Sequence, residues 1–244
     1  MTGVQTVLFR SWTSAGTLLI MKPLFLIRVD GWLEDLDICL ERIQKFVKTP
    51  HEILLLDVME NSGLKSKENI SVAKLPVGLG WGQTFAHAFE NKSNQIQILM
   101  DMSTLLTGDP LPQVIAELEN PGVIGAGWHG GLFNLEEKWR SVDDKGPGEV
   151  DVLFSYFFAI KREKLLESEG FEPEAHFYRN ADIELSCALR ATGGRLLSLD
   201  LPMEQGRHHG YHDSEENYRN EESKRNYVRM LKKYRGREIG RAHV

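Results

Sequence analysis

The sequence predicts an α/β fold with a mainly parallel central sheet flanked by helices. Three observations carry this. Continuous apolar runs alternate with helix-spaced apolar residues through the first half of the chain. Asp30, Asp57 and Asp101 each close such a run, the position of residues at the carboxyl ends of parallel strands. The 244 residues, 41% hydrophobic and 26% charged, suit one domain with at most a small appendage.

The elements follow in order. Residues 23–29, PLFLIRV, predict a buried strand. Leu33, Leu36, Leu40, Ile43 and Val47 fall at helical spacing and give one apolar face, which Thr49-Pro50 ends. EILLLD, 52–57, is a second buried strand. A turn-rich stretch, 60–69, leads to a short strand near 71–75. The glycine-rich PVGLGWG, 76–82, precedes a helix near 83–90, then the strand that runs into Asp101. Leu111, Val114, Ile115 and Leu118 mark a helix after Asp109-Pro110, and GVIGAG, 122–127, a further strand. Residues 132–148 are polar, with Gly146-Pro147-Gly148, and predict a surface loop. VDVLFSYFFAI, 150–160, is a long apolar strand, followed by a short helix closed by Gly170. A helix around Asp182 ends at Gly193-Gly194 and passes into a strand. In KRNYVRMLKKYRG, Tyr227, Leu231 and Tyr234 share one helical face among Lys and Arg. That face predicts either docking on the domain or a peripheral membrane contact.

Bulk properties exclude several classes. The formal net charge is -6 and no basic stripe precedes the 224–236 stretch, so no nucleic-acid partner is expected. No apolar run approaches the ~20 residues of a membrane span. Cys39 and Cys187 fall in helical patterns and read as buried free thiols of a reducing compartment. The ends look foreign. MTGVQTVLFRS, 1–11, and EIGRAHV, 238–244, resemble translated sequencing-adapter DNA. The expected organisation is therefore a non-native or disordered segment 1–21, a domain 22–213, an amphipathic helix 214–237 and an artefactual tail 238–244. Whether the native chain continues beyond 237 stays open.

Three constellations could carry chemistry. Asp182 and Glu184 open a helix, where backbone N–H groups stabilise the first carboxylate. Two residues apart, they do not share a face, so they divide between a cleft and its opposite side. A carboxylate in a cleft can take a proton from a hydroxyl. GRHHGYHD, 206–213, holds metal-capable His208, His209, His212 and Asp213, with one ligand expected rather than a full cage. VGLGWG lacks both the P-loop Gly-Lys-Ser/Thr and the dinucleotide spacing, and Trp81 within it either stacks on a ligand ring or packs.

Residues 148–200 resemble the family 2 glycosyltransferases of GT-A fold. Arg162-Glu163 match the family's strand end, Gly170-Phe171-Glu172 its GGFDE in part, and Asp182, Glu184, Leu185, Arg190 and Gly193 its acidic motif. A following His is His208 or His209. VDGWLEDLDICLERI and HEILLLD are similar to the family's first helix and second strand. The resemblance spans roughly residues 22–235.

It implies transfer of a sugar from a nucleotide-diphosphate donor to a sugar or lipid-linked acceptor hydroxyl, with inversion. The setting it implies is cell-surface polysaccharide or glycoconjugate synthesis, in the cytoplasm or at the inner membrane face. By position Asp182 would be the general base. Asp30, Asp57, Asp101, Ser103 and Glu184 would bind substrate, with Asp57 facing the nucleoside. Asp101 and His209, preferred over His208, would hold a divalent metal, Mn2+ or Mg2+, that neutralises the leaving diphosphate.

Departures fall at donor-facing positions. Ser103 stands where the family has the second Asp of D-x-D, and a neutral hydroxyl is a poor ligand for a hard cation. Val58, Gly78, Ala86 and Ala181 replace an Asp, an Asn, an Arg and a Glu. Three outcomes stay open: a metal held by Asp101, a histidine and water; a metal-free site using Arg179 or Arg207; or a degenerate domain that binds nucleotide, glycan or protein without turnover. A nucleotidyltransferase would want a basic glycine-rich loop where this chain has acidic RVDGWLED. A histidine-rich hydrolase would need ligands on separate strand ends.

Overall fold

A computed structural model describes residues 22–237; both adapter-like ends lie outside them. The centre is a nine-stranded sheet. β1 (Leu24–Val29), β2 (Glu52–Asp57), β3 (Ile70–Lys74) and β4 (Ile96–Met100) pair in parallel in the order β3-β2-β1-β4. β9 (Val152–Lys161) lies antiparallel between β4 and β6 (Val123–Phe133), and β10 (Arg195–Ser198) runs parallel to β6. β7 (Val142–Lys145) and β8 (Gly148–Val150) add antiparallel edges to β6 and β10. Parallel direction therefore dominates, with β7, β8 and β9 reversed. A second, two-stranded sheet pairs β5 (Thr104–Leu106) with β11 (Met203–Gln205).

Both faces of the sheet are covered, as parallel strands require. Along β1 the side chains alternate. Phe25, Ile27 and Val29 meet α1 (Leu33–Phe46) and α3 (Leu111–Glu119) on one face. Leu24 and Leu26 meet α2 (Trp81–Asn91), α4 (Arg162–Glu167) and α5 (Ala181–Arg190) on the other. A third cluster joins Phe133, Trp139, Ile183, Cys187 and Ala188 to Met230 and Tyr234 of α7 (Glu216–Tyr234). Phe133 and Trp139 stack there at 4.3 Å. The apolar stripe of α7 is thus spent on docking against the domain. No helix among the described residues is long and apolar enough to cross a membrane. Cys39 and Cys187 are buried free thiols.

Two elements differ from expectation. The 132–148 stretch is not a loop: β6 continues to Phe133, and β7 and β8 follow. Gly127, Gly130 and Gly131 are there for close packing, not turning. A Cβ on them would stand 2.4–2.6 Å from Phe157 O, Val152 O and the Val142 side chain. Helix α2 begins at Trp81, inside the glycine-rich stretch. Its first amides, Trp81 N and Gly82 N, donate to His176 O and Ala175 O at 3.0 and 2.8 Å. Those donors are consumed within the chain rather than turned toward a phosphate.

Candidate active site

The carboxyl ends of β1 and β4 open into two adjoining cavities, where ligands bind in such sheets. The smaller, about 120 Å3, is lined by Arg28, Asp30, Trp32, Asp35 and Trp81 among others. The larger, about 910 Å3, holds Asp182, Tyr156, Arg140, Arg179 and Arg207. Asp101, Ser155, Tyr178 and His208 line both and form the wall between them.

Asp101 follows β4 directly and is fixed at two points. Its Oδ1 accepts from Ser103 N at 2.8 Å and from the Ser103 hydroxyl, while Oδ2 stands 3.5 Å from His208 Nε2. Ser103 is 3% exposed, and its Oγ also accepts from Gln205 Nε2 at 2.7 Å. Gly206 N donates to Ser103 O at 2.8 Å. The serine hydroxyl is therefore committed as donor and acceptor. It acts as a strut between Asp101 and the strand that delivers His208.

His208 lies parallel to the Tyr178 ring at 4.9 Å and edge-on to Tyr156 at 6.1 Å. Both its ring nitrogens are buried and make no hydrogen bond among the described residues. His209, the histidine favoured from sequence, also lines the smaller cavity but faces other carboxylates: its Nδ1 bonds Asp213, and its Nε2 is 3.6 Å from Asp35. The structure thus places His208, not His209, at Asp101. Adjacent side chains point apart, and only geometry decides which one turns inward.

No group of three His, Cys, Asp or Glu that could hold a metal occurs among the described residues. The chemistry of the donors fits a cation only in part. Asp101 Oδ2 and the orphaned His208 would be its protein ligands, and the rest would have to come from diphosphate oxygens and water.

Asp182 opens α5 and is 6% exposed. Burial pushes its carboxyl up to about 6, against hydrogen bonds from Ser155 N at 3.0 Å and Ile183 N at 2.9 Å. Glu184 turns the other way: Arg229 of α7 holds it at 2.8 and 3.0 Å, and it lines neither cavity. Asp57 is also a structural anchor. It accepts from Lys74 Nζ at 2.9 Å, Met59 N at 3.0 Å and the Ser62 hydroxyl. Burial works to raise its pKa, and these bonds overcome it and hold the carboxyl low. Asp57 lines neither cavity. Asp30 does line the smaller one, paired with Arg28, which also donates to Leu79 O at 2.9 Å. Trp81, 5% exposed, packs edge-on to Phe85 and Phe171.

Sequence reasoning missed Tyr178, Tyr156 and Gln205. The segment that carries Tyr178 is hung between two helices. Asn226 Nδ2 on α7 donates to Phe177 O and Arg179 O at 2.8 and 3.0 Å, and Asn180 Nδ2 donates to Ser223 O at 2.9 Å. On the other side α2 approaches so closely that a Cβ at Gly82 would stand 1.9 Å from Glu172 O. These ties explain why Asn180 accepts a left-handed φ of 67° just before α5.

Solved structures of the same architecture include GalNAc-T7 with UDP, GalNAc and Mn2+, at 17% identity and a TM-score of 0.67, covering 87% of this chain and 48% of that one. A mannosyltransferase from Pyrobaculum calidifontis in complex with GDP-Man and Mn2+ matches at 14% identity and 0.65, covering 87% and 63%. S. aureus TarS, residues 1–349, matches at 13% identity and 0.60, covering 88% and 72%. The fold is GT-A. The chain spans about half of GalNAc-T7 and under two thirds of the mannosyltransferase. No family profile and no curated protein sequence matches it.

Proposed function

We propose that this protein is a glycosyltransferase that moves a sugar from a nucleoside-diphosphate donor to a hydroxyl acceptor with inversion. The observation that carries the reading is Asp182: a buried carboxyl held at about 6, opening into a large cavity that shares a wall with Asp101 and His208. The neighbours solved with UDP and with GDP-Man support a nucleotide donor.

In this reading the donor's nucleoside lies toward Asp30 and Trp32, and its diphosphate at the Asp101–His208 wall. Ionised Asp182 accepts the proton of the acceptor hydroxyl as that oxygen attacks the anomeric carbon. The bond from that carbon to the diphosphate oxygen breaks, and the electron pair leaves with the diphosphate. A divalent cation, when bound by Asp101 and His208, supplies charge neutralisation there. Ser103 and Gln205 keep Asp101 oriented. Cell-surface polysaccharide or glycoconjugate synthesis at the cytoplasmic side completes the proposal. With its apolar stripe buried, α7 would meet an inner membrane face only through basic outer residues such as Lys224 and Arg225.

A second reading, a non-catalytic nucleotide or glycan binder, is favoured by Ser103 in place of an acid and by the structural commitment of Asp57 and Glu184. Calorimetric titration with UDP, GDP and their sugar conjugates, with and without manganese, tests donor use. Asp182→Asn separates the readings. It should abolish transfer while donor affinity stays nearly unchanged, and full activity in that variant would sink the base assignment.

A further inference from the structure

We infer that the acceptor carries a phosphate or carboxylate close to the hydroxyl that is glycosylated, and that Arg140, Arg179 and Arg207 receive it. The inference rests on the reading of Asp182 as the base. The three arginines come from separate places: the turn after β6, the residue pair before α5, and the segment after β11. They converge on the larger cavity, where Asp182 lies, and none lines the smaller one with Asp30 and Asp35. All three are exposed, whereas Asp182 is deeply buried, so they stand at the mouth and the base at the bottom.

Their partners leave charge available. Arg179 is oriented by a neutral group: its Nη1 donates to the Tyr211 hydroxyl at 2.8 Å, and its guanidinium carbon lies 5.1 Å from the ring centre. Arg219 approaches the same ring at 4.5 Å and donates to Tyr211 O at 2.9 Å, which holds Tyr211 in place. Neither Arg140 nor Arg179 pairs with a carboxylate among the described residues; Arg207 shares Asp213 at 2.7 Å. Asp144 is the carboxylate on this wall besides Asp101 and Asp182. At the mouth three guanidiniums face two exposed carboxylates, Asp144 and the Asp213 that Arg207 already holds, which leaves Arg140 and Arg179 as the positive side of a chain of net charge -6. A guanidinium presents a planar fork of donors that matches phosphate and carboxylate oxygens. A neutral acceptor would leave these charges without use.

The test employs the whole chain with UDP in saturating amount. Glucose, glucose 6-phosphate and glucuronate serve as acceptor probes, followed by ligand-observed NMR. Wild type should bind glucose 6-phosphate at least about tenfold more tightly than glucose, with the preference shrinking at high salt. Glucuronate shows whether a carboxylate serves as well as a phosphate. The double variant Arg140→Gln/Arg179→Gln should lose the preference while UDP affinity and thermal unfolding stay at wild-type values. Equal affinity for glucose and its phosphate in wild type overturns the inference, and so does loss of UDP affinity in the variant, which would assign these arginines to the donor. Absence of UDP binding by wild type is a different failure, that of the transferase reading itself.

Discussion

Replacing Ser103 by the aspartate that the D-x-D pattern would have there should damage this protein rather than repair it. Ser103 is 3% exposed, with its hydroxyl bonded to Asp101 and its oxygen 2.7 Å from Gln205 Nε2. Ser103→Asp places a second carboxylate roughly 4 Å from the first. Two unit charges at that distance repel by about 4 kcal/mol at an effective dielectric constant near 20. The Gln205 amide donates in wild type too, and only the strengthening of that bond by a charged acceptor, about 1 kcal/mol, offsets the repulsion. The net cost, about 3 kcal/mol, corresponds to a fall of roughly 6–12 °C in Tm for a domain of this size. Thermal unfolding in EDTA at pH 7.5 and pH 5 reads it. The deficit should be large at pH 7.5 and smaller at pH 5, where one of the paired carboxyls takes a proton. An unchanged or raised Tm at pH 7.5 without divalent cation would refute the strut and restore Ser103 as a vacant ligand position.

Other outcomes follow from the same geometry. The folded-state pKa of Asp182, about 6, lies above its ordinary 3.8, so the folded state holds that proton more tightly than the unfolded chain. The charged carboxylate then costs stability above pH 6, and the cost disappears below about pH 4. Asp182→Asn should therefore raise stability by about 3 kcal/mol at pH 7.5 and by little near pH 4, seen in urea unfolding. Wild-type transfer should fall on the acid side with a midpoint near 6; a midpoint near 4 would show that the base is not this buried group. Arg229→Met leaves Glu184, 3% exposed, without its partner and should cost about 3 kcal/mol in urea unfolding. A loss under 1 kcal/mol would mean α7 does not depend on that pair. Gly82→Ala drives a methyl group against Glu172 O and should cost about 3 kcal/mol and weaken UDP affinity, by calorimetry.

Much of the framework is written in local pattern. β1, α1, β2, β4 and α3 follow from apolar runs and helical spacing because each meets one core face with period 2 or 3.6. Asp101 and Asp182 are legible as cleft residues because strand ends and helix starts collect at one edge of the sheet. The rest depends on partners distant in sequence. Glu184 and Asp57 look like site acids until Arg229 and Lys74, 45 and 17 residues away, are seen to claim them. Gln205 gains its meaning from Ser103, 102 residues earlier. The polar 132–148 stretch with Gly146-Pro147-Gly148 signals loop in one dimension, and in three it forms the end of β6 with β7 and β8.

The segment 172–180, pinned by α2 on one side and α7 on the other, has a consequence for how the protein comes into being. A chain emerging from the ribosome possesses the whole sheet, Asp101 and Asp182 before it possesses Asn226, Arg229 or the Tyr211 that orients Arg179. Until α7 is synthesised and docked, the turn that carries Tyr178 and Arg179 lacks half its anchors, and Glu184 sits without its counter-charge. The cavity wall that carries Tyr178 and Arg179 is therefore complete only after α7 has docked. A nick in the Asp213–Glu215 stretch would loosen that wall without touching Asp101 or Asp182.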